Sequence, residues 1–323
     1  MCKRHRKITV QTETGVIPLL MFTVAFAPSL HGQSQIQIKA VVNAASFQSG
    51  MPSGGALATV FCSGLGGSPG TYTAPPTSPL PFKLAGVQVR VNAASAPILG
   101  VYIPGPGQSA LAQINFQVPI ERNTTLLSPS GNDNGTLVVS AESSVDGTLT
   151  GFSATSDQGS GGFFADSNGY AIAQHASDGS LVTLQNPARA GETIIAYGDD
   201  FFSVWPPPPM AVPAPQQPLS LLNVEISKGF GLTLLYLQDY PVYTTCPTGF
   251  SCGSQATTPP LLILFRGLAP GMTGVEQINF VVPASQAPGD WALFFNAASC
   301  GVAQGGCSQF GAESSPYATL PVR

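Results

Sequence analysis

The strongest pattern in the sequence is an internal repeat: Gln113-Ile114-Asn115-Phe116-Gln117-Val118-Pro119 recurs as Gln277-Ile278-Asn279-Phe280-Val281-Val282-Pro283. Apolar and polar residues alternate along each copy, which predicts a half-buried strand whose apolar residues face a core. A proline ends each copy. Because proline cannot donate a hydrogen bond to a strand ladder, each strand is expected to end there. The copies begin at positions 113 and 277, an offset of 164 residues, so the sequence predicts two similar halves.

Two further matches extend the repeat towards the N-terminus of each half. Gly55–Cys62 matches Gly191–Gly198 at an offset of 136, and Pro81–Val87 resembles Pro218–Val224 at an offset of 137. The offset then rises from 137 to 164, so the second half carries about 27 extra residues after Val224. We predict that these residues form an inserted loop at about 228–260.

The composition favours a turn-rich, weakly charged β protein. Charged residues make up 9% of the 323 residues, while the chain has 36 glycines, 30 prolines and a 43% hydrophobic fraction. An average soluble domain is about 25% charged. These values argue against a disordered charged tail, a coiled coil and a nucleic-acid-binding protein. Short strands separated by frequent turn signals favour antiparallel sandwiches.

The N-terminus predicts export. Four basic residues between Lys3 and Lys7 precede an apolar stretch from Val16 to Ala27, and polar residues begin near Ser29. This is the layout of a secretory signal peptide over 1–32; an uncleaved membrane anchor is the alternative. We therefore expect a secreted or cell-envelope protein, which touches a membrane only if this segment is kept. The full chain has a net charge of −4, and removal of residues 1–32 would take away four bases and one acid, which makes the remaining chain more negative. A negatively charged surface repels the phosphate backbone, so no nucleic acid is expected as a partner.

Four of the cysteines predict local disulfides. Cys246 and Cys252 lie in one Gly-rich stretch, and Cys300 and Cys307 lie in another. In an exported protein such short spacings favour a disulfide within each pair. Zinc is the weaker alternative, because neither pair has CxxC spacing and no histidine is near. Cys62 lies in an apolar run and is predicted to be a buried free thiol.

Several motifs together resemble a known family. These are Val42–Phe47, Leu84–Val87, Asn186–Glu192 and Gly267–Gly271, which leads into the second repeat copy. In this order they resemble the uncharacterised C-terminal domain family of exported proteins from Solibacter and related acidobacteria. The resemblance covers most of residues 38–300 and implies no activity.

A looser resemblance concerns the fold. Pro187 and Gly191, followed by a strand that ends near Phe201, look like the start of an immunoglobulin-like IPT/TIG domain. Pro283 to Ser299 looks like the end of such a domain. The resemblance implies an Ig-like β-sandwich and says nothing of activity.

The repeat and these resemblances predict an all-β fold of two tandem Ig-like antiparallel β-sandwich domains with long loops. The first sandwich is expected over 38–150 and the second over 163–323. A Gly/Ser-rich linker is expected over 151–162.

Catalytic motifs are weak in this sequence. A G-x-S-x-G pattern surrounds Ser68 and Ser251, but neither serine has the strand and helix that a nucleophile elbow needs. His175, the one histidine after residue 32, is predicted to be an exposed loop residue. Asp199-Asp200 could hold a cation, although a solvated turn is the favoured interpretation.

The inserted loop carries the candidate ligand-binding residues. Tyr240, Tyr243 and Phe250 lie close to the Cys246–Cys252 pair. Tyrosine offers a large contact area at low entropic cost, and loops commonly carry recognition on a sandwich scaffold. We therefore predict a non-catalytic binding or adhesion module for a glycan or protein at the cell envelope, with no cofactor or metal. A structural spacer and a secreted hydrolase are the alternatives.

Overall fold

The computed structural model describes the chain with gaps. The described residues are 34–75, 79–120, 135–152, 161–201, 204–205, 210–217, 219, 221–222, 232–239, 261–299, 310–314 and 318–323. They form strands, turns and bends, without a helix in any of these ranges. The chain from Gln33 to Arg323 makes one compact unit.

Twenty-two strands are present in the described ranges. In the first half they are β1 (Ser34–Gln35), β2 (Gln37–Asn43), β3 (Leu57–Ser63), β4 (Gly70–Thr73), β5 (Val87–Val91), β6 (Ala94–Ala96), β7 (Ile98–Ile103), β8 (Ala112–Gln117), β9 (Gly135–Ala141), β10 (Ser144–Val145) and β11 (Gly147–Phe152). In the second half they are β12 (Gly162–Phe163), β13 (Ala173–His175), β14 (Thr193–Asp199), β15 (Val204–Trp205), β16 (Leu221–Leu222), β17 (Leu232–Asp239), β18 (Leu262–Leu268), β19 (Glu276–Val281), β20 (Gly289–Ser299), β21 (Phe310–Ser314) and β22 (Ala318–Val322).

The first half contains one hydrophobic core between two antiparallel sheets. A five-stranded sheet has the order β2-β3-β8-β7-β4, and a four-stranded sheet has the order β11-β9-β5-β6. Their apolar residues form a single buried cluster, to which β8 contributes Ile114 and Phe116 and β5 contributes Val89. Period-two alternation produces this arrangement, because every second side chain of each strand points to the same face.

The second half repeats this plan around its own core. A seven-stranded sheet holds β14 and β19 at its centre, and a four-stranded sheet is built on β20. Ile278 and Phe280 of β19 are fully buried and belong to one cluster with Leu293 of β20 and Leu320 of β22. β17 lies within the predicted insertion and pairs antiparallel with β20 along its whole length.

The two halves share one strand register. In the first half Leu57 pairs with Gln117 and Cys62 pairs with Ala112. Adding the offset of 136 to the β3 residues and the offset of 164 to the β8 residues gives the pairs of the second half, from Thr193↔Val281 to Gly198↔Glu276. The repeat in sequence is therefore also a repeat in backbone pairing.

Even an irregularity of the ladder is repeated. The pairing of β7 with β8 shifts by one residue between Ile98 and Gly100. The pairing of β18 with β19 shifts in the same way between Ile263 and Phe265. A bulge at matching positions indicates that the two sheets bend at the same place.

Buried hydrogen bonds join the two halves. Asn43 Nδ2 and the Leu57 N–H both donate to Asp199 Oδ2, over 3.1 and 2.9 Å. At a second place the Ala211 N–H donates to Gln117 Oε1 over 3.1 Å, and the Leu80 N–H donates to the Ala211 carbonyl over 2.8 Å. The compact unit thus contains two cores with polar contacts between them.

The predicted all-β, antiparallel class is confirmed. β1 and β10 form the one strand pair that is parallel among those described. The Ig-like character and the domain boundaries stay predictions. The predicted signal peptide over 1–32 lies outside the described residues.

Candidate binding groove

An open groove lies on the second half, beside β13. Its volume is about 340 Å³, and it lies between the segment before β13 and the segment after it. The lining residues are Asp166, Asn168, Tyr170, Ala171, Ile172, Ala173, Leu181, Val182, Thr183, Leu184 and Gln185. Ligand pockets commonly have volumes of about 300–1,000 Å³, so this groove fits a small ligand or a short segment of a larger one.

A tight turn shapes one wall of the groove. Asp166 Oδ1 accepts hydrogen bonds from the Asn168 and Tyr170 N–H groups, over 2.8 and 2.9 Å. The Gly169 N–H donates to the Asp166 carbonyl over 2.9 Å, and Gly169 has a φ of 84°. This φ lies in the region that glycine adopts without strain. The sequence Asp-Ser-Asn-Gly therefore forms a turn that holds Tyr170 at the groove.

Tyr170 is fixed at its hydroxyl end. Its OH donates to Asp290 Oδ2 over 3.3 Å, and Asp290 also accepts a hydrogen bond from Arg323 Nη2 over 3.1 Å. Partial desolvation, followed by the charge of Asp290, raises the pKa of the Tyr170 hydroxyl. The tyrosine is therefore a neutral donor at physiological pH, with its ring beside the groove.

Aliphatic side chains dominate the exposed walls. Ile172 is 39% exposed, Leu181 56% and Leu184 48%. Between them, Ala171, Ala173 and Val182 are buried against the second core. The larger isoleucine and leucine side chains thus face solvent here, while the smaller alanine and valine side chains face the core. Large aliphatic residues are usually the buried ones.

The second wall is held by Asn186. Its Nδ2 donates to the Leu181 carbonyl and to Ser180 Oγ, each over 3.1 Å. The Thr183 N–H donates to the Asn186 carbonyl over 2.9 Å. These bonds close a turn that presents Leu181 and Leu184 on a fixed backbone.

His175 is buried beneath this wall, so the prediction of an exposed loop histidine is wrong. It is 5% exposed and lies in β13. Its Nδ1 lies 3.1 Å from the Glu192 carboxylate, and its Nε2 lies 3.2 Å from the Asn186 carbonyl oxygen. Both ring nitrogens therefore have structural partners that join β13 to the loops around it.

Asp199 and Asp200 are also buried, so the favoured interpretation of a solvated turn is wrong. Asp199 is 0% exposed, Asp200 8% and the neighbouring Glu276 4%. Burial, then the charges of Asp200 and Glu276, raise the pKa of Asp199 well above its usual range. Within the described residues, no group of three histidine, cysteine or acidic side chains could hold a metal ion.

Cys62 is a buried free thiol, as the apolar run predicts. Burial raises its pKa to about 11. Since the thiolate is the reactive form, this cysteine is unreactive in the folded protein at neutral pH.

The other predicted site residues lie outside the described residues. They are the candidate ligand-binding residues Tyr240, Tyr243 and Phe250 and the candidate disulfide residues Cys246, Cys252, Cys300 and Cys307. Ser251 also lies outside. Ser68 lies in the loop between β3 and β4, where its carbonyl accepts a hydrogen bond from the Tyr72 hydroxyl over 2.9 Å.

The groove was not predicted from the sequence. Tyr170-Ala171-Ile172-Ala173 alternates large and small apolar residues, and this pattern was the available signal. Period two shows that a strand has two faces, but it does not show which face the core covers.

No protein-family model matches the chain, and no curated protein matches it in sequence. The part of the chain that the structure describes contains no candidate membrane-spanning helix.

Among solved structures, the chain is similar to SGBP-B of the Bacteroides ovatus mixed-linkage glucan utilization locus, solved with a mixed-linkage heptasaccharide. The identity is 9% and the TM-score 0.26, covering 84% of this chain and 42% of that one. Red sea bream transglutaminase is 11% identical with a TM-score of 0.20, covering 90% of this chain and 31% of that one. The S. aureus collagen adhesin CNA is 10% identical with a TM-score of 0.15, covering 90% and 95%. The chain spans less than half of the first two proteins.

Proposed function

We propose that this chain is an exported, non-catalytic β-sandwich protein whose groove beside β13 binds an extended segment of a protein partner at the cell envelope. Export rests on the N-terminal sequence and on the resemblance to an exported acidobacterial family. The binding role rests on the groove. The loop residues Tyr240, Tyr243 and Phe250 are a second proposed contact surface.

The exposed aliphatic wall is the observation that carries the proposal. Ile172, Leu181 and Leu184 line one groove and are each more than a third exposed. Leaving such side chains in water costs free energy that a partner recovers by covering them, at about 25 cal/mol per Å². Apolar residues grouped in a concavity are typical of interaction sites.

The chemistry of the lining favours a protein segment over a glycan. Sugar rings pack their C–H faces on aromatic side chains, and Tyr170 is the single aromatic residue among the described lining residues. Aliphatic walls suit an aliphatic side chain instead. Asp166 is exposed and is the one charged group of this described lining, so a basic residue beside the aliphatic one would complement it.

A displayed library of random peptides, selected on the purified protein, tests this proposal. We expect selected peptides to carry an aliphatic residue next to Lys or Arg. Replacing two wall residues together (Leu181→Ser with Leu184→Ser) should weaken their binding at least about tenfold, or about 1.4 kcal/mol. Leu262→Ser is the matched control, since Leu262 is 64% exposed in β18 and does not line the groove.

The outcomes separate the alternatives. Binding of peptides that survives both wall substitutions contradicts the groove assignment. Binding on a glycan array, lost in the wall variant, would replace the protein partner by a glycan. No binding to either probe supports the structural spacer, and hydrolytic turnover by the purified protein supports the hydrolase.

A further inference from the structure

Asp199 belongs to the second half, and its carboxyl group contacts the first half. It ends β14, and its Oδ2 accepts hydrogen bonds from Asn43 and Leu57 of the first half. Its Oδ1 is buried without a hydrogen-bond partner among the described atoms. An ionised carboxylate would therefore leave one of its oxygens unsolvated in the interior, which is costly.

Among the described residues, the charged groups that act on Asp199 are Asp200 and Glu276, and both are acidic. Asp200 Oδ2 accepts from the Ser53 N–H over 3.3 Å, and Glu276 Oε2 accepts from the Phe201 N–H over 2.7 Å. Both side chains belong to the second half, while the first half offers Asp199 an uncharged amide and a backbone N–H. Losing the Asp199 proton thus adds a negative charge beside two others in a buried place.

We propose that Asp199 is a proton-dependent latch between the two halves. As a neutral acid it accepts the Asn43 and Leu57 hydrogen bonds and holds the halves together. As an anion it is repelled by Asp200 and Glu276 and loosens the contact. This inference does not depend on the groove or on its ligand.

The direction of the pH effect follows from linkage. Asp199 has a higher pKa in the folded chain than in the unfolded chain, where aspartate titrates near 3.9. Its contribution to stability is complete below about pH 3.9 and is lost as the pH rises towards the folded-state pKa. The latch is therefore firmest in acid and weakens with rising pH.

Amide hydrogen exchange at Leu57 tests the latch in the intact chain, because this N–H is bound by Asp199 itself. After correction for the intrinsic rate, we expect its protection to fall by up to about tenfold per pH unit above about pH 4, as one proton per opening requires. Asp199→Asn keeps the shape and an acceptor oxygen but cannot ionise, so most of this fall in protection should be lost. Asp146→Asn, at an exposed position between β10 and β11, is the matched control and should behave as the wild type.

A second variant keeps the test valid if Asp199→Asn does not fold. Glu276→Gln retains an oxygen for the Phe201 N–H but removes one of the repelling charges. The pH at which Leu57 protection stops falling should shift to a lower value in this variant. Equal pH dependence in the wild type and Asp199→Asn, or no shift in Glu276→Gln, would overturn the proposal.

Discussion

Gly198 of the second half occupies the position that Cys62 holds in the first half. Each closes the repeated strand register, Gly198 opposite Glu276 and Cys62 opposite Ala112. Cys62 fits in the first core, whereas a Cβ at Gly198 would overlap the Phe201 ring and the Gly162 carbonyl oxygen. Equivalent residues in the repeat are therefore not interchangeable.

The substitution Gly198→Ala tests this difference. Because the added methyl meets a ring and a backbone atom, we expect the free energy of unfolding to fall by about 1–3 kcal/mol. Urea denaturation measures the change. Gly105→Ala is the control, since its Cβ would meet only the Gln108 side chain at 3.4 Å or more, and an equal loss in both variants would contradict the packing argument.

The two strands that carry the repeated motif, β8 and β19, differ in the hydrogen bonds that their asparagine side chains make. Asn115 Oδ1 accepts hydrogen bonds from Thr59 Oγ1 on β3 and from Gln113 Nε2, over 2.9 and 3.0 Å. Asn279 Oδ1 accepts one from Gln277 Nε2 over 2.8 Å and lies opposite Ile195. The asparagine of the first copy therefore joins β8 to β3 through a side-chain hydrogen bond, whereas the hydrogen bond given for Asn279 stays within β19.

Removing these amides should consequently have unequal effects. Asn115→Ala leaves the Thr59 hydroxyl, which is 2% exposed, without its acceptor, and we expect a loss of about 1–3 kcal/mol. Asn279→Ala should cost less, about 1 kcal/mol. Thermal unfolding of both variants checks this order. Adding Thr59→Val to Asn115→Ala should restore part of the loss, and a further loss of stability would count against the hydrogen bond.

The strand prediction was accurate for an elementary reason. Ile114, Phe116 and Val118, and likewise Ile278, Phe280 and Val282, are all fully buried, as their alternation predicts. The faces of the segment Ala171–Ala173, which leads into β13, could not be predicted in the same way, because alanine and isoleucine alternate there and both are apolar.

At the scale of the whole molecule, buried polar contacts couple the two cores. Gln117 is 2% exposed, and its side chain spans from the Gly55 carbonyl, at 3.0 Å, to the Ala211 N–H, at 3.1 Å. The matching residue in the second half is Val281, which cannot make such bonds. The contact therefore belongs to the assembly of the halves and not to the repeat.

We expect the wild type to unfold in one calorimetric transition, because neither core can open without exposing these shared groups. Gln117→Val should lower the free energy of unfolding by about 1–3 kcal/mol, since it leaves the Ala211 N–H unsatisfied. Scanning calorimetry measures both quantities. Gln88→Val, at an exposed strand position, is the control and should be nearly neutral; two separate wild-type transitions would contradict the coupling.

The all-β class, the repeat, its strands and the burial of Cys62 could all be predicted from the amino-acid sequence. These depend on local alternation and on similarity between segments of one chain, and both can be read without coordinates. The burial of Asp199, the contacts of His175 with Glu192 and Asn186, and the groove lined by Ile172 and Leu181 became visible only in the folded structure. Each of these results depends on which distant segment packs against a residue, and no periodicity along the chain encodes that partner.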